Sequence, residues 1–461
     1  MSMTSIFWAL TFCLICGAGV YSGIKVKTQA GWQTGGGQMS WLSVAVIMGA
    51  FQIGGVSIIG CAQDGFNMGI SGAWYTLIGC LYYLYAAFIW APAFRKNIPT
   101  GSVPDFLRSK YDSKTALTYS YINVFNGIIY VPLQLFTMCT VIQMAIPGIS
   151  LWGSVVVGLG LAALYTAVGG IHAAKVVGRA TCFSLYFCVV VACYLIVDRA
   201  GGWVALNEVL PPSYFSWGNV SGTKIFGWVV AGFFSSAIAQ TTVQPMIAAR
   251  SLKDARMGAI VGAILAGPIG IFTAIIGMCC KAQDLTDNAA LAFATTVNHG
   301  VHPVFAGIIF GIASLIVATT MSSKMLATST IMTSIYKIQI KPGCTDEQAL
   351  KFSRIGTVIY AFICLIPIAL IQRSTLSNLL MYLTMLTGVP MFFPVVAGMF
   401  WKKVTKTGAF AAMLSGFAIG LVATLTPAMT KVIPSGLWIV TVGSIVGVAV
   451  SLATQPKTAE N

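Results

Sequence analysis

Charge is what this sequence has least of. Of 461 residues only 8% are charged, 26 basic and 11 acidic, whereas soluble globular proteins carry roughly 25% charged residues. No water-soluble sphere can be covered from that supply. Long polar stretches are scarce too. The longest, around 95–115, 198–224, 282–302 and 337–352, are each about 20 residues, too short for a folded extramembrane module. Period-two alternation is missing, which excludes a transmembrane β-barrel. Clusters with metal-ligand spacing are missing as well. His172, His299 and His302 lie in or beside loops, and the cysteines, Cys344 excepted, fall within or at the edge of apolar runs, where they behave as small hydrophobes. Metal catalysis has no support, and the chain reads as something other than an enzyme.

What is abundant is apolar length. Hydrophobic residues make up 57% of the chain, and the mean hydropathy is +0.85. Apolar blocks predict about thirteen membrane spans, near 5–24, 41–66, 71–94, 116–146, 149–168, 178–198, 225–246, 258–281, 303–335, 353–372, 377–400, 408–427 and 434–454. The block 5–24 lacks a basic n-region and a small-residue cleavage site, so it reads as a retained helix rather than a signal peptide.

A net charge of +15 raises the question of nucleic acid, and the placement of the basic residues answers it. Numbered alternately, one set of gaps holds 20 of the basic residues, from Lys25 and Lys27 through Arg250 and Arg256 to Lys402, Lys403 and Lys457. The other holds Arg199, Lys224, Lys281, Arg373 and Lys431, and with Lys324 inside a span the 26 are accounted for. By the positive-inside bias the first set is cytoplasmic, with the N-terminus outside and the C-terminus inside. The partner of the basic excess is therefore the bilayer of the cell membrane, not nucleic acid.

Function in such a chain is sought where the helix pattern breaks, because irregular backbone at membrane depth is tolerated only against protein or a cavity. The second span carries Gly54-Gly55 between Gln52 and Ser57, and five spans later the seventh carries Gly232 to Pro245 with Ser235, Ser236, Gln240 and Gln244. Taken singly, either segment also reads as a tight packing surface. Interrupted helices opening two successive five-helix units point to an inverted-repeat carrier with its site at the bilayer midplane. The ninth span crowds Thr319, Thr320, Ser322, Ser323, Thr328, Ser329, Thr330 and Thr333. Hydroxyls on a helix commonly bond back to their own carbonyls. Carbonyls of Ala50 and Ile53 freed by the break, opposite Thr319 and Thr320, also make an oxygen set suited to a sodium ion.

Four stretches carry a family resemblance: Tyr165-Thr166-Ala167-Val168-Gly169-Gly170-Ile171, Ala248-Ala249-Arg250-Ser251 through Arg256, Ser329-Thr330 through Lys337, and Gly398-Met399-Phe400-Trp401-Lys402-Lys403 with Gly408-Ala409. In this order the chain, over about residues 40–420, resembles the sodium/solute symporters of the leucine-transporter fold. The resemblance implies an all-α membrane protein with a 5+5 inverted-repeat core, one helix before it and two after. The implied division is a leading helix and loop (1–40), the first repeat (41–200), an extracellular loop (201–224), the second repeat (225–400), and two trailing helices with a cytoplasmic tail (401–461). It also implies a sodium site from the carbonyls of Ala50, Ile53 and Ile316 and the hydroxyls of Thr319 and Thr320.

Two departures matter. The family's Thr-Asp pair after the double glycine is Val177-Gly178 here, which removes the acid associated with a second sodium while leaving its hydroxyl partners Ser322 and Ser323. Lys324, the one basic residue deep in a span, reads either as a functional cation or as a side chain snorkelling to the interface. Asp64, at the outer end of the second span, reads as a vestibule or helix-end group or as a solute ligand. Positions that bind sugar in sugar-transporting members fall on Ser57, Thr76 and Gly79, so the sugar ligands are not reproduced, and no aromatic cage for a quaternary ammonium is evident. The expected solute site is Gln52, Ser57, Thr76, Phe233, Ser235, Ser236 and Gln240, fit for an amino acid, a monocarboxylate or a similar small molecule. Three functions follow: sodium-coupled symport of that solute, a proton-coupled or facilitative carrier using Lys324 in place of a cation, and a non-transporting membrane sensor.

Overall fold

With no water to receive its hydrogen bonds, an apolar chain must close them internally, and helices do so within one segment. The computed structural model describes residues 2–369, 376–431 and 433–455. Arg373, Lys457 and the expected end of the tenth span at 370–372 lie outside the described residues. Among those described, helices carry the whole architecture, and the one strand-like contact is an isolated bridge between Met39 and Ala249.

In chain order the main helices are α1 (Met3–Gly23), α2 (Trp41–Gln52), α3 (Cys61–Met68), α4 (Trp74–Tyr85), α5 (Ser113–Ala145), α6 (Leu151–Arg199), α7 (Gly222–Phe234) and α8 (Gln240–Ala248). There follow α9 (Leu252–Ala266), α10 (Ile269–Ala282), α11 (Pro303–Ile335), α12 (Asp346–Ile363), α13 (Leu376–Gly388), α14 (Phe392–Phe400), α15 (Lys406–Leu425) and α16 (Ser435–Ala453). Their starts are written in the sequence. Ser150, Ser221 and Ser251 accept hydrogen bonds from the amides of Gly153, Lys224 and Asp254, and Thr345 with Gln348 forms a capping box, each satisfying otherwise orphaned first-turn donors.

Nine helical stretches among the described residues are long and apolar enough to cross a membrane, ten if the bent pair α7–α8 is counted. The thirteen expected segments reconcile with that number. Val56–Asn97 holds the outer part of the second segment and all of the third, separated where Gly69 takes φ 70°. Residues 151–199 hold the fifth and sixth. At 49 residues a straight helix would run about 73 Å, more than twice a hydrocarbon core of about 30 Å. The bent pair is the seventh segment, and α12, with Asp346, Glu347, Lys351 and Arg354 along it, is the tenth.

One expectation changes. The sequence predicts a loop between 168 and 178, yet helical structure runs through that stretch, and the break is confined to Gly170 at φ 52°, ψ −133°. Only glycine adopts that backbone readily. The position is crowded as well, since a Cβ on Gly170 would stand 2.3 Å from the carbonyl oxygen of Trp32.

The core surrounds α11. It is the most enclosed of the apolar stretches, with 83% of its apolar window buried, and α1, α5 and α6 pack around it. The inner half of the second segment, α2, lies against α9, and its outer half, α3, against α10. The second segment meets α11 at Ala50 and Thr320, and the seventh meets it at Gln244 and Thr330.

Candidate functional site

The second segment breaks where Gly54-Gly55 predicts. α2 ends at Gln52, Ile53 leaves helical geometry at φ −80°, ψ 49°, and a π-helical turn over Val56–Gly60 leads into α3. The freed groups find partners. Ser57 Oγ donates to the Gln52 carbonyl at 2.6 Å, and the Gly55 N–H donates to Gln134 Oε1 at 2.8 Å. Thr320 Oγ1, from α11, lies 2.9 Å from the Ala50 carbonyl oxygen. Both glycines are demanded by close approach. A Cβ on Gly54 would sit 3.0 Å from Thr320 Oγ1, and one on Gly55 would sit 1.7 Å from Thr137 Oγ1.

Three of the five expected sodium ligands converge. Thr320 Oγ1 is within 3.1 Å of the Ile316 carbonyl as well as 2.9 Å from that of Ala50, so three oxygens crowd one point at the break. This neutral, oxygen-only set fits a hard monovalent cation. Thr319 is adjacent in sequence, but its hydroxyl donates to Leu315 O at 2.9 Å on its own helix, the bond-back that helix hydroxyls favour. Ile53 is fully buried at the break.

Beside this point opens a cavity of at most about 810 Å³, part of it continuous with solvent. Gln52, Ser235 and Ser236 line it, as expected of solute ligands, together with Tyr75, Tyr82, Asn123, Asn126, Tyr130, Trp228, Thr241, Thr384 and Lys324. Ser235 and Ser236 reach the wall because the seventh segment is also interrupted: α7 stops at Phe234 and α8 resumes at Gln240 after a bend of 47°. Gln52 is held in place by Tyr82, whose hydroxyl donates to Gln52 Oε1 at 2.5 Å.

The other four expected solute ligands are engaged elsewhere. Ser57 closes the break, as above. Thr76 Oγ1 donates to the carbonyls of Ala73 and Gly267 and seats α4 against the α9–α10 junction. Phe233 packs on Tyr85 with ring centroids 4.9 Å apart. Gln240 braces the stretch before residue 103, accepting from the Val103 N–H at 2.9 Å and donating to Gly101 O. Sequence reasoning missed Asn123, Asn126 and Tyr130. They lie at helical spacing, i, i+3 and i+7, but the same span also carries Tyr119, Ser120, Gln134, Thr137 and Thr140, so the sequence did not single them out.

Lys324 is half-buried. Its side chain lines the cavity, with Nζ 5.3 Å from the centre of the Tyr130 ring. Ser322 accepts a hydrogen bond from Thr166 Oγ1 at 2.7 Å, whereas the buried Ser323 Oγ and Tyr165 hydroxyl have no hydrogen-bond partner. A Cβ at Gly178 would lie 3.2 Å from the Val46 carbonyl oxygen, so α6 approaches α2 closely at this point. Asp64 pairs with Lys224 at 3.3 Å, joining the outer end of the second segment to the start of the seventh. The twelve cysteines are free thiols, and among the described residues no group of three metal-binding side chains assembles.

In sequence and in fold the chain resembles known transporters. The chain is 23% identical to the human sodium/myo-inositol cotransporter 2 over 469 residues, covering 90% of this chain and 68% of the relative. It is 22% identical to the high-affinity proline transporter PutP of Bacillus subtilis (strain 168), covering 87% and 88%. In structure it resembles a substrate-bound, outward-open Na+-coupled sialic acid symporter, with TM-score 0.85, 18% identity and coverage of 99% and 98%. It also resembles Mhp1, a nucleobase-cation-symport-1 family transporter, with TM-score 0.65 and 15% identity over 95% of this chain and 97% of the other. A sequence profile of the sodium:solute symporter family matches residues 32–416. The interrupted helices, the oxygens gathered where they meet α11 and this match over most of the chain lead to one conclusion: this multi-pass membrane protein belongs to the sodium:solute symporter family, in which sodium is the coupling ion.

Proposed function

We propose that the protein is a secondary active transporter that carries a small polar organic solute with one sodium ion across the cell membrane, with no chemical step on the solute. The observation that carries this reading is the contact of Thr320 Oγ1 with the Ala50 carbonyl, 2.9 Å apart at the break of the second segment. It puts ion oxygens and the solute-lining Gln52 on the same few residues of backbone. Sodium bound there would hold the break in one geometry and so favour the cavity that receives the solute, which is linkage between the two ligands. Ala50, Ile53, Ile316, Thr319 and Thr320 supply the ion site in this reading, and Gln52, Ser235 and Ser236 contact the solute. Ser322 and Ser323, lacking a neighbouring acid, do not complete a second sodium site.

In the same reading the repeats are 41–200 and 225–400, linked by the outer stretch 201–224, and they rock against each other for alternating access. Residues 1–40 precede them and 401–461 follow. The basic gaps face the cytoplasm, the N-terminus is outside and the C-terminus inside. The test is a sodium titration of thermal stability in purified protein, since a ligand of the folded state raises its apparent stability. Thr320→Val is expected to raise the half-saturating sodium concentration at least about tenfold, or about 1.4 kcal/mol. Thr319→Ala, whose hydroxyl is turned to Leu315, is expected to shift it less. Unchanged sodium response in Thr320→Val would overturn the site.

A further inference from the structure

The solute cavity contains one charge and no counter-charge. Among its lining residues Lys324 is the one side chain that carries a charge at neutral pH, and no Asp, Glu, Arg or His joins it. Among the described residues the ion pairs are Lys224 with Asp64 and Arg250 with Asp254, so no carboxylate lies within 4 Å of Lys324. Its visible neighbour is the face of Tyr130 at 5.3 Å, a contact that steadies an ammonium without neutralising it. The Tyr130 ring is itself fixed by stacking on Phe51, 6.0 Å between centroids, at the break. An ammonium at membrane depth with no fixed partner is expensive, and nothing about the packing of α11 requires it.

We infer that Lys324 is the anchor for a carboxylate of the transported solute, so that the substrate class is small organic carboxylates. The inference rests on reading the cavity as the solute site. Lys324 stands one helical turn beyond Thr320, on the same face of α11, and lines the cavity with Gln52 and Asn126. The carboxylate then neutralises the lysine only while the solute is bound. Sodium enters at Thr320 and Ala50, close to the same anion, so ion and solute favour each other electrostatically across one turn of helix. Neutral amides of the same shape lack the charge the lysine needs, and cationic solutes meet a like charge.

The test uses the full-length protein in nanodiscs, with propionate, lactate, pyruvate and proline each set against its matched amide or ester. Binding is followed by thermal shift with and without sodium, and uptake is followed in proteoliposomes. At least one carboxylate is expected to bind tenfold or more tightly than its amide or ester, which is neutral for propionate, lactate and pyruvate and cationic for proline. Lactate or pyruvate leading identifies a simple monocarboxylate; proline leading identifies a zwitterion whose carboxylate uses the same anchor. Lys324→Gln and Lys324→Met should erase that preference, and Lys324→Arg should keep most of it. Equal binding of acid and amide, wild-type carboxylate affinity in the folded Gln or Met variant, or no stabilisation by any of these carboxylates would overturn the inference. Sodium-driven uptake of a neutral solute would leave the transport reading standing and remove the anchor. Carboxylate binding that depends on Lys324 without flux would do the reverse.

Discussion

Thr319 and Thr320 are neighbours of the same type, yet the structure gives them different work. Both hydroxyls bond back to their own helix, at Leu315 and Ile316, but that of Thr320 also reaches across to Ala50. The sequence shows a pair of hydroxyls; which one faces the break depends on how α11 is rotated against α2, and that is set by packing. Gly55 carries the same lesson with the opposite outcome. Its role was legible, because a glycine pair in mid-membrane announces close approach, and the structure adds what approaches: the Thr137 hydroxyl on α5. Adding one methyl there overpacks the junction, at a typical cost of about 1–3 kcal/mol. Gly55→Ala is therefore expected to lower the melting temperature, and Thr137→Gly in the same chain should recover part of the loss. A Gly55→Ala protein that melts like the wild type would show that α2 and α5 are not held at this distance.

At the scale of elements, long apolar blocks were readable almost everywhere, although the helices capped by Ser221 and Ser251 begin before the expected spans at 225 and 258. The reading failed where a polar residue serves the scaffold instead of the cavity. Thr76 and Gln240 look like ligands in sequence because they are polar within the membrane, and each turns out to satisfy backbone groups of a neighbouring segment. The reversal between the fifth and sixth segments is the sharpest structural demand. Lys175 and the double glycine suggest a loop, but the turn is made at Gly170 alone, against the carbonyl of Trp32. Trp32 is itself locked there by its indole N–H to Ala167 O at 3.1 Å. Gly170→Ala is expected to cost at least about 1–3 kcal/mol from backbone strain, with the clash added. The check is the folded fraction after detergent extraction, which should fall well below that of the nearby exposed variant Gly160→Ala, whose Cβ meets nothing within 4 Å.

Across the whole molecule, both interrupted segments touch α11, the second at Thr320 and the seventh at Thr330. Asp64 and Lys224, 160 positions apart, tie the end of the second segment to the start of α7, and both are largely shielded from solvent. Lys224 also stands over the Trp228 ring at 5.0 Å, and Trp228 lines the cavity, so the pair adjoins the cavity wall. The sequence placed Asp64 at a helix end but could not supply its partner from the other repeat. Because each charge stabilises the other, a double-mutant cycle with Asp64→Asn and Lys224→Gln should show coupling of about 1 kcal/mol or more in stability, the double variant losing less than the sum of the singles. Additive losses would show that the pair does not hold the repeats together. The charge deficit pointed to the bilayer, and the two charged residues placed within spans have distinct settings: Asp64, at a span end, in a fixed pair, and Lys324 in the cavity with no carboxylate within 4 Å among the described residues.

The central claim, sodium-coupled solute movement through the break at Ala50 and Thr320, is tested most directly by accumulation of a bound solute in proteoliposomes under opposed cation gradients. Wild-type protein should concentrate the solute under an inward sodium gradient and not under a potassium gradient of the same size, and Thr320→Val should lose that accumulation. Equal accumulation with potassium, or an undiminished sodium-driven rate in Thr320→Val, would contradict it.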